Sequence, residues 1–319
     1  MEITIGCELE GGLVDSRGRP VDTLAVLAGG MKSPDIPFEE ITSDMGKASV
    51  ELISAVSRSG SEVLASFERS LGRIPLGHYA LFETCPFGTE VELVDKSRCR
   101  AMMDALAREH PEGRRGVPAV APWCSTQFHL GFGNAFGPAQ VLLLNVLNNI
   151  APYARMRVIE RFKVKGAQRH LSIWQGWCDA RRVPAPRWFK DLDELHAVVR
   201  GIPKLLTLRN GEWVHADEEP SRLGDSESEG TLWWLARPRL VYNTVEWRPF
   251  PSLMPEDAAL LADRVLALAR DFSVYVRENE RATAYTMREI RSLFRHLAHH
   301  ELMPSEPLCE TEWWKLYEQ

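Results

Sequence analysis

Four segments of the chain alternate apolar and polar residues, which is typical of half-buried β-strands. These segments cover residues 2–10, 48–54, 125–133 and 243–250. Three longer segments carry apolar residues at helical spacing, over residues 97–109, 255–279 and 286–302. Because strands and helices mix without a regular βαβ alternation, the pattern predicts an α+β fold. Its sheet is expected to be antiparallel or mixed, with the helices on one side.

The polar faces of the first two predicted strands carry carboxylates. Glu8 and Glu10 share one face of the first strand, because successive side chains of a strand point to opposite sides. Two such acids, roughly 7 Å apart, repel each other unless a cation lies beside them. Glu51 lies in an otherwise apolar strand, where burial of a free carboxylate is unfavourable. The three acids are therefore candidates for binding a cation.

The third and fourth predicted strands add polar groups at alternating positions. Gln127 and His129 share one face of the third strand, and Glu246 shares a face with Arg248 in the fourth. A solvated strand face is the ordinary explanation for such residues, and a lone strand histidine is more often structural than a ligand. Four strands that each bring acids or metal-binding groups to one face are harder to explain in this way. Such a face is suited to hard cations such as Mg²⁺ and, through them, to a nucleotide polyphosphate.

The charge and the hydropathy pattern exclude several classes of protein. The 319 residues include 38 Lys and Arg against 44 Asp and Glu, which gives a net charge of −6. Nucleic-acid binding depends on a basic face, so we expect no nucleic-acid partner. The best candidate for a membrane span, residues 141–147, is far too short, and the N-terminus lacks the basic and apolar segments of a signal peptide. We therefore expect a cytoplasmic protein without a membrane partner.

The domain organisation is predicted to be simple, with a single domain over residues 1–319. The only break in composition is an acidic stretch at about residues 212–230, which also contains Pro, Ser and Gly. Because apolar periodicity resumes on both sides, we interpret it as a solvated loop inserted within the domain. The six cysteines include no CxxC pair, which argues against a disulfide framework and against a zinc–thiolate site.

Five motifs follow one another along the chain in an informative order. They are IGCELEGGLVD (residues 5–15), ASVELIS (48–54), ETCPFG (83–88), STQFHLGFG (125–133) and WWLARPRLVYNTVEWRPF (233–250). In this order they resemble the carboxylate–amine ligase branch of the glutamate–cysteine ligase family. The last motif is the closest match, since it resembles a Trp-Trp, Arg, Thr-Val-Glu-x-Arg signature. VRENERATA (276–284) is also similar to a late helix of that family.

The resemblance implies a fold, a reaction and a set of cofactors. The fold would be glutamine synthetase-like, with a mostly antiparallel sheet that forms a metal- and nucleotide-binding funnel and helices packed on its outer face. The single domain would catalyse ATP-dependent formation of an amide or peptide bond through an acyl phosphate, with release of ADP. ATP and Mg²⁺, or Mn²⁺ in its place, would be required. The substrates would be small molecules, an amino acid or small carboxylate together with an amine. Whether the chain forms a homo-oligomer is left open.

The resemblance also assigns roles to individual residues. The implied metal ligands are Glu8, Glu10, Glu51, Gln127 and Glu246. The implied catalytic residues are Arg239 and Arg248, whose guanidinium groups match a phosphoryl group or a carboxylate. The implied nucleotide-binding residues are His129, Arg237 and Arg169.

Three positions depart from the family pattern. Gln127 replaces the first histidine of His-x-His, and Glu83 and Cys85 replace the Gly and His of Gly-Thr-His-Pro. A glutamine oxygen can still bind Mg²⁺, but Gln127 could instead only donate a hydrogen bond to a neighbouring carboxylate. Two other functions stay open as alternatives, an amide hydrolase on the same fold and a non-catalytic nucleotide- or metal-binding module.

Overall fold

A computed structural model describes residues 2–28, 31–83, 92–109, 124–133, 136–164, 180–182, 188–279 and 286–317. The strands are β1 (Thr4–Asp15), β2 (Met31–Lys32), β3 (Glu40–Thr42), β4 (Ser49–Ile53), β5 (His78–Leu81), β6 (Ser125–Gly131), β7 (Leu206–Arg209), β8 (Glu212–His215), β9 (Ala236–Arg239) and β10 (Thr244–Pro251). The α-helices are α1 (Thr23–Val26), α2 (Gly60–Leu71), α3 (Ser97–Glu109), α4 (Pro138–Phe162), α5 (Leu192–Arg200), α6 (Ser226–Gly230), α7 (Pro255–Glu278), α8 (Met287–Leu297) and α9 (Glu310–Tyr317).

Eight of the strands form one sheet in the order β2-β3-β4-β1-β6-β10-β9, and β5 pairs with the far end of β1. Every pairing within this sheet is antiparallel, which confirms the expected sheet type. Strands β7 and β8 form a separate antiparallel hairpin. All four strands predicted from the alternating pattern are present as β1, β4, β6 and β10, and they are neighbours in the sheet.

One face of the sheet is apolar and is covered by helices. Ile5, Cys7 and Leu9 of β1 belong to the main hydrophobic core, together with Phe128 of β6 and Trp247 of β10. Helix α7 packs on β1 and β6, and helix α4 packs on β9 and β10. The opposite face of the same strands carries the acids, as the alternation predicts. On that side, α3 packs against the β7–β8 hairpin.

Helix α4 is the largest element that the sequence pattern did not identify. Nearly all of its first seventeen residues are buried, so it shows no polar face and no clear helical periodicity. Its buried asparagines each exchange two hydrogen bonds with the backbone of one distant residue. The pairs are Asn145 with Phe189, Asn148 with Ala236 and Asn149 with Leu308. The helix therefore fixes three separate parts of the chain around the core.

The acidic stretch that was predicted as a solvated loop is partly ordered and partly buried. Its beginning forms β8, and its end forms the short helix α6. The Glu229 side chain is fully buried, and its carboxylate accepts hydrogen bonds from the backbone N–H groups of Gly224, Leu240 and Val241. The high charge of this stretch predicts exposure to solvent. The buried position of Glu229 depends on its hydrogen bonds to the backbone, which the sequence does not display.

The three helices expected from apolar spacing are confirmed, with small differences at their ends. Helix α3 has the predicted bounds, and α7 ends at Glu278, one residue earlier than predicted. Helix α8 starts after a capping box between Thr286 and Glu289 and ends at Leu297, five residues earlier than predicted. Within the described residues, no helix combines the length and apolar character needed to cross a membrane.

Candidate active site

A cavity of about 360 Å³ lies between the polar face of the sheet and the helices α3 and α6. Carboxylates and guanidinium groups dominate its lining. The charged lining residues are Glu8, Glu10, Asp44, Glu51, Glu227, Arg98, Arg237, Arg239 and Arg248. Acids and arginines therefore face one another across a space large enough for a small-molecule ligand.

The register of the sheet brings the predicted acids together. Glu10 of β1 lies directly opposite Glu51 of β4, and Glu8 lies opposite Gln127 of β6. Directly opposed like charges on neighbouring strands destabilise a sheet unless something neutralises them. Asp44, in the turn between β3 and β4, completes a group with Glu10 and Glu51 whose ligand oxygens all lie within 4.8 Å of one another.

These three carboxyl groups are poorly neutralised by the protein. Burial, followed by the charge of Asp44, raises the pKa of Glu10 to about 8. Burial also raises the pKa of Asp44, and burial together with Glu8, Asp44 and Glu10 raises the pKa of Glu51 well above its usual range. Each shift means that the ionised form is unfavourable in this environment.

A second group of possible ligands lies beside the first. The Nε2 atom of His129 is 2.9 Å from Oε1 of Glu8 and 3.8 Å from Oε2 of Glu246. The ligand atoms of these three residues lie within 4.8 Å of one another. Burial opposes ionisation of Glu8, but the charge of His129 and its hydrogen bond lower the pKa of that carboxyl overall.

Glu246 is fully buried and is surrounded by arginines. Its Oε2 atom is 2.7 Å from Nε of Arg237 and 3.6 Å from Nε of Arg239, and its Oε1 atom is 3.7 Å from Nη1 of Arg248. Burial opposes ionisation, but Arg237, then His129 and the other two arginines, hold the pKa of Glu246 far below its usual range. The ionised form of Glu246 is therefore favoured, whereas that of Glu10 and Glu51 is unfavourable.

The three arginines differ in how many of their donors are already used. Arg237 donates to Glu246 and to the backbone oxygens of Gly230 and Leu232, so much of its guanidinium group is committed to the protein. The Nε atom of Arg239 is buried without a hydrogen-bond partner among the described residues. Its guanidinium carbon lies 5.0 Å from the centre of the Tyr242 ring, which holds the group over the cavity. Arg239 is thus better placed than Arg237 to bind an anion.

A β-bulge and a hydrogen-bonded turn position the side chains of Arg248 and Asp44. Strand β10 has a β-bulge between Trp247 and Phe250 where it pairs with β6, while on its other side the backbone N–H of Arg248 donates to the oxygen of Leu235, in register with the β9–β10 pairing. Bulges redirect side chains, and Arg248 points into the cavity. The Asp44 turn is held by Ser49, whose Oγ atom accepts a hydrogen bond from the Asp44 N–H at 3.0 Å.

Gln127 donates a hydrogen bond to Glu10, one of the three clustered acids Glu10, Asp44 and Glu51. Its Nε2 atom lies 2.6 Å from Oε1 of Glu10 and 3.0 Å from Oγ of Ser125. Ser125 also donates to Glu10, from its backbone N–H at 2.7 Å and its hydroxyl at 2.9 Å. This arrangement favours the alternative in which Gln127 orients a carboxylate instead of contacting a metal.

The structure brings most of the proposed site residues to one place. The five implied metal ligands, Arg239 and Arg248 lie on or directly behind the cavity wall. His129 is not on the wall, and it contacts Glu8 and Glu246 instead of open space. Arg169 and Cys85 lie outside the described residues.

Asp44, Arg98 and Glu227 were not identified from the sequence. Asp44 lies in a turn, where strand alternation gives no information. Arg98 of α3 forms a two-pronged ion pair with Glu227 of α6, with Nε–oxygen distances of 3.1 and 2.8 Å. A sequence signal for Asp44 is its position two residues before the Gly-Lys-Ala-Ser-Val segment that leads into the Glu51 strand. No comparable signal marks the Arg98–Glu227 pair.

The donor set fits one or more hard divalent cations. It consists of carboxylate oxygens with one imidazole, which suits Mg²⁺ or Mn²⁺. The Oε1 atom of Glu246 is buried and accepts no hydrogen bond within the described part of the chain. A buried carboxylate oxygen without a donor is unfavourable, and a bound cation would satisfy it.

Comparison with known proteins supports the fold. No protein-family model matches the chain, and no curated protein matches it by sequence. Its structure is similar to that of a glutamate–cysteine ligase from Francisella tularensis in complex with AMP, with a TM-score of 0.51, 12% identity, and coverage of 100% of this chain and 81% of that chain. A bifunctional glutathione synthetase from Pasteurella multocida also matches, with a TM-score of 0.47, 12% identity, and coverage of 99% of this chain and 41% of that chain. This chain therefore spans less than half the length of the latter enzyme. The resemblance to glutamate–cysteine ligases that the motifs predicted is confirmed at the level of the fold.

Proposed function

We propose that this protein is an ATP-dependent carboxylate–amine ligase that forms an amide or peptide bond and releases ADP. The observation that carries the proposal is one cavity lined by Glu8, Glu10, Asp44, Glu51 and arginines, with His129 and Glu246 in contact with these lining residues. Such a cavity can hold divalent cations and the anions that those cations bridge. The ordered motifs and the fold shared with a glutamate–cysteine ligase support the same reaction.

In the proposed reaction, the carboxylate of an acid substrate attacks the γ-phosphoryl group of ATP and forms an acyl phosphate with loss of ADP. An amine then displaces phosphate and forms the carbon–nitrogen bond. Phosphoryl transfer of this kind depends on positioning and on neutralisation of charge more than on covalent help from the protein. The sheet supplies this positioning because its strands hold the charged side chains in a fixed register.

The two clusters of ligand side chains would hold Mg²⁺ or Mn²⁺. Glu10, Glu51 and the newly identified Asp44 form one site, and Glu8, His129 and Glu246 form the other. Bound cations would neutralise the polyphosphate and the charge that develops during transfer. In this proposal His129 is a metal ligand, which changes its role from the nucleotide contact implied by the sequence.

The arginines would act on the anionic substrate groups. Arg239 and Arg248 have guanidinium groups that face the cavity, and we assign them to the transferring phosphoryl group or to the acid substrate. Arg237 uses three donors within the protein, so we assign it to positioning Glu246. A glutamine synthetase-like funnel remains part of the proposal, with an amino acid as the acid substrate.

An ADP-release screen tests the proposed function. The purified protein would be incubated with ATP, Mg²⁺ or Mn²⁺, and amino acids offered singly and in pairs. We expect ADP formation that requires both an acid and an amine, with the amide product detected by mass spectrometry. Amide cleavage without stoichiometric ADP would instead identify a hydrolase. Absence of both activities, together with tight nucleotide binding, would identify a binding module.

A further inference from the structure

A second group of metal-binding side chains lies outside the cavity, where α7 meets the segment that follows α8. The Nε2 atoms of His299 and His300 each lie 3.0 Å from the same oxygen, Oδ2 of Asp271. The ligand atoms of the three residues lie within 4.8 Å of one another. Asp271 belongs to α7, and the two histidines follow α8, so the group connects two elements that are separate in sequence.

The segment that carries the two histidines is fixed to the core. The backbone N–H of His300 donates to the oxygen of Leu297, and the N–H of Met303 donates to the oxygen of His300. Leu297, Leu302 and Met303 are buried, so apolar side chains hold the turn on both sides of the histidines. The convergence of the two imidazoles therefore depends on a packed turn and not on a free loop.

The hydrogen bonds of His299 determine which ring nitrogen carries its proton. Its Nδ1 atom lies 3.0 Å from the backbone oxygen of His296. A carbonyl oxygen only accepts, so Nδ1 must donate, and the neutral ring then has its lone pair on Nε2. That lone pair points at the carboxylate of Asp271, where two acceptors face each other at 3.0 Å. Either a second proton or a cation is needed between them.

We propose that Asp271, His299 and His300 bind a divalent transition-metal ion of the zinc class. Two imidazole nitrogens and one carboxylate oxygen are typical ligands of Zn²⁺ and leave a fourth position for water. Histidines that bind metals usually donate the other ring N–H to a carbonyl or carboxylate, as His299 does toward His296. Ligands about 2.1 Å from a tetrahedral zinc lie about 3.4 Å apart, so the present spacing needs only a small adjustment.

Neighbouring groups are consistent with this site. The nearby carboxylate of Glu301 is already paired with Arg161 and Arg264, so it does not compete for the ion. The proposed site is independent of the ligase proposal, because none of its residues lines the cavity.

Zinc binding by the full-length protein tests the inference. Metal-stripped protein would be titrated with Zn²⁺ by calorimetry, with excess Mg²⁺ present to occupy the acidic cavity. We expect the substitutions His299→Gln and Asp271→Asn each to remove one bound ion or to weaken its binding at least about tenfold. Both side chains are substantially exposed, so these variants should keep the fold, which circular dichroism and the melting temperature in chelator would verify.

A matched control comes from the same segment. His296 is also exposed, its ring lies 5.3 Å from that of Tyr275, and its side chain is not one of the three converging ligands. The substitution His296→Gln should leave the zinc stoichiometry unchanged. With Co²⁺ as the probe, the intense visible absorption of a tetrahedral site should appear in the unsubstituted protein and in His296→Gln, and disappear in His299→Gln. Equal zinc stoichiometry and affinity in the unsubstituted protein and in both ligand variants would overturn the inference.

Discussion

Glu51 provides the sharpest test of the idea that the sheet is built around a cation. Its carboxylate shares a space with those of Glu10 and Asp44, and the pKa of each group is raised. Replacement of Glu51 by Gln keeps the shape of the side chain and removes its charge. We therefore expect Glu51→Gln to stabilise the metal-free protein at alkaline pH while abolishing its response to Mg²⁺.

The geometry sets the size of the effect. Two unit charges 4.8 Å apart repel by about 3.5 kcal/mol at an effective dielectric constant of about 20. Protonation relieves part of this repulsion, since a carboxyl with a raised pKa stays neutral in the folded state. The net gain in the free energy of unfolding for Glu51→Gln should therefore be about 2–4 kcal/mol at pH 8, in the upper range for a single substitution.

The pH dependence follows from the direction of the shift. In the unfolded chain Glu51 ionises near its ordinary pKa of about 4.3, whereas in the folded state it keeps its proton to a much higher pH. Between these values the unfolded state binds fewer protons, so the free energy of unfolding falls as the pH rises. The variant lacks this group, so its advantage should be close to zero at pH 4 and grow toward pH 8.

Urea unfolding followed by tryptophan fluorescence measures this difference, because Trp247 and Trp313 are fully buried. Both proteins would be unfolded at pH 4, 6 and 8, first in chelator and then in excess Mg²⁺. We expect Mg²⁺ to stabilise the unsubstituted protein at pH 8 and to leave Glu51→Gln nearly unchanged. If the variant is no more stable in chelator at pH 8, or if Mg²⁺ stabilises both proteins equally, then the cluster is not a cation site held under repulsion.

Four further substitutions, at three positions, probe other contacts. Glu246→Gln should behave opposite to Glu51→Gln, because it leaves the guanidinium of Arg237 buried without a counter-charge. It should lower the free energy of unfolding by about 3 kcal/mol and abolish ADP formation. Gln127→Leu should lower stability by about 1–2 kcal/mol, since it removes a donor to Glu10, whereas Gln127→His should keep Mg²⁺ affinity in calorimetry. Glu39→Gln should destabilise the protein by about 1–2 kcal/mol at pH 7, and by progressively less as the pH falls below the usual range of a carboxylate. Burial opposes ionisation of Glu39, but its hydrogen bonds lower the pKa overall, so its contribution is lost as the carboxylate protonates in acid.

The alternating pattern was sufficient to identify the central strands and the face that carries the acids. A strand has a side-chain period of two, so the positions of Glu8, Glu10 and Glu246 on one face follow from the sequence alone. The pairing order of the strands does not follow from it. The direct opposition of Glu10 and Glu51 depends on β4 lying beside β1, and this is a property of the assembled sheet.

The pattern of apolar and polar residues did not predict two features, helix α4 and the place of Asp44 in the site. Helix α4 is buried almost all round, so it lacks the polar stripe by which a surface helix is recognised. Asp44 lies in a turn whose conformation depends on hydrogen bonds to Ser49 and on packing against the rest of the sheet. Tertiary contacts decide both features, and neither has a period that a single sequence displays.

The Glu10–Asp44–Glu51 cluster and the Glu8–His129–Glu246 cluster differ in how far the protein already neutralises their negative charge. This difference favours an order in which the two clusters would bind metal ions. Glu246 has three arginines close to it, so its group gains little from a free cation and more from a cation that arrives with a polyphosphate. Within the described residues, no guanidinium or ammonium group forms an ion pair with Glu10, Asp44 or Glu51. Arg248 and Lys96 favour the ionised forms only in part, because the pKa of each of the three acids is still raised, so a cation bound by Glu10, Asp44 and Glu51 would relieve the remaining repulsion. In the proposed ligase, Glu10, Asp44 and Glu51 would therefore bind a metal first, and Glu8, His129 and Glu246 would bind one only when an anionic substrate satisfies Arg239 and Arg248.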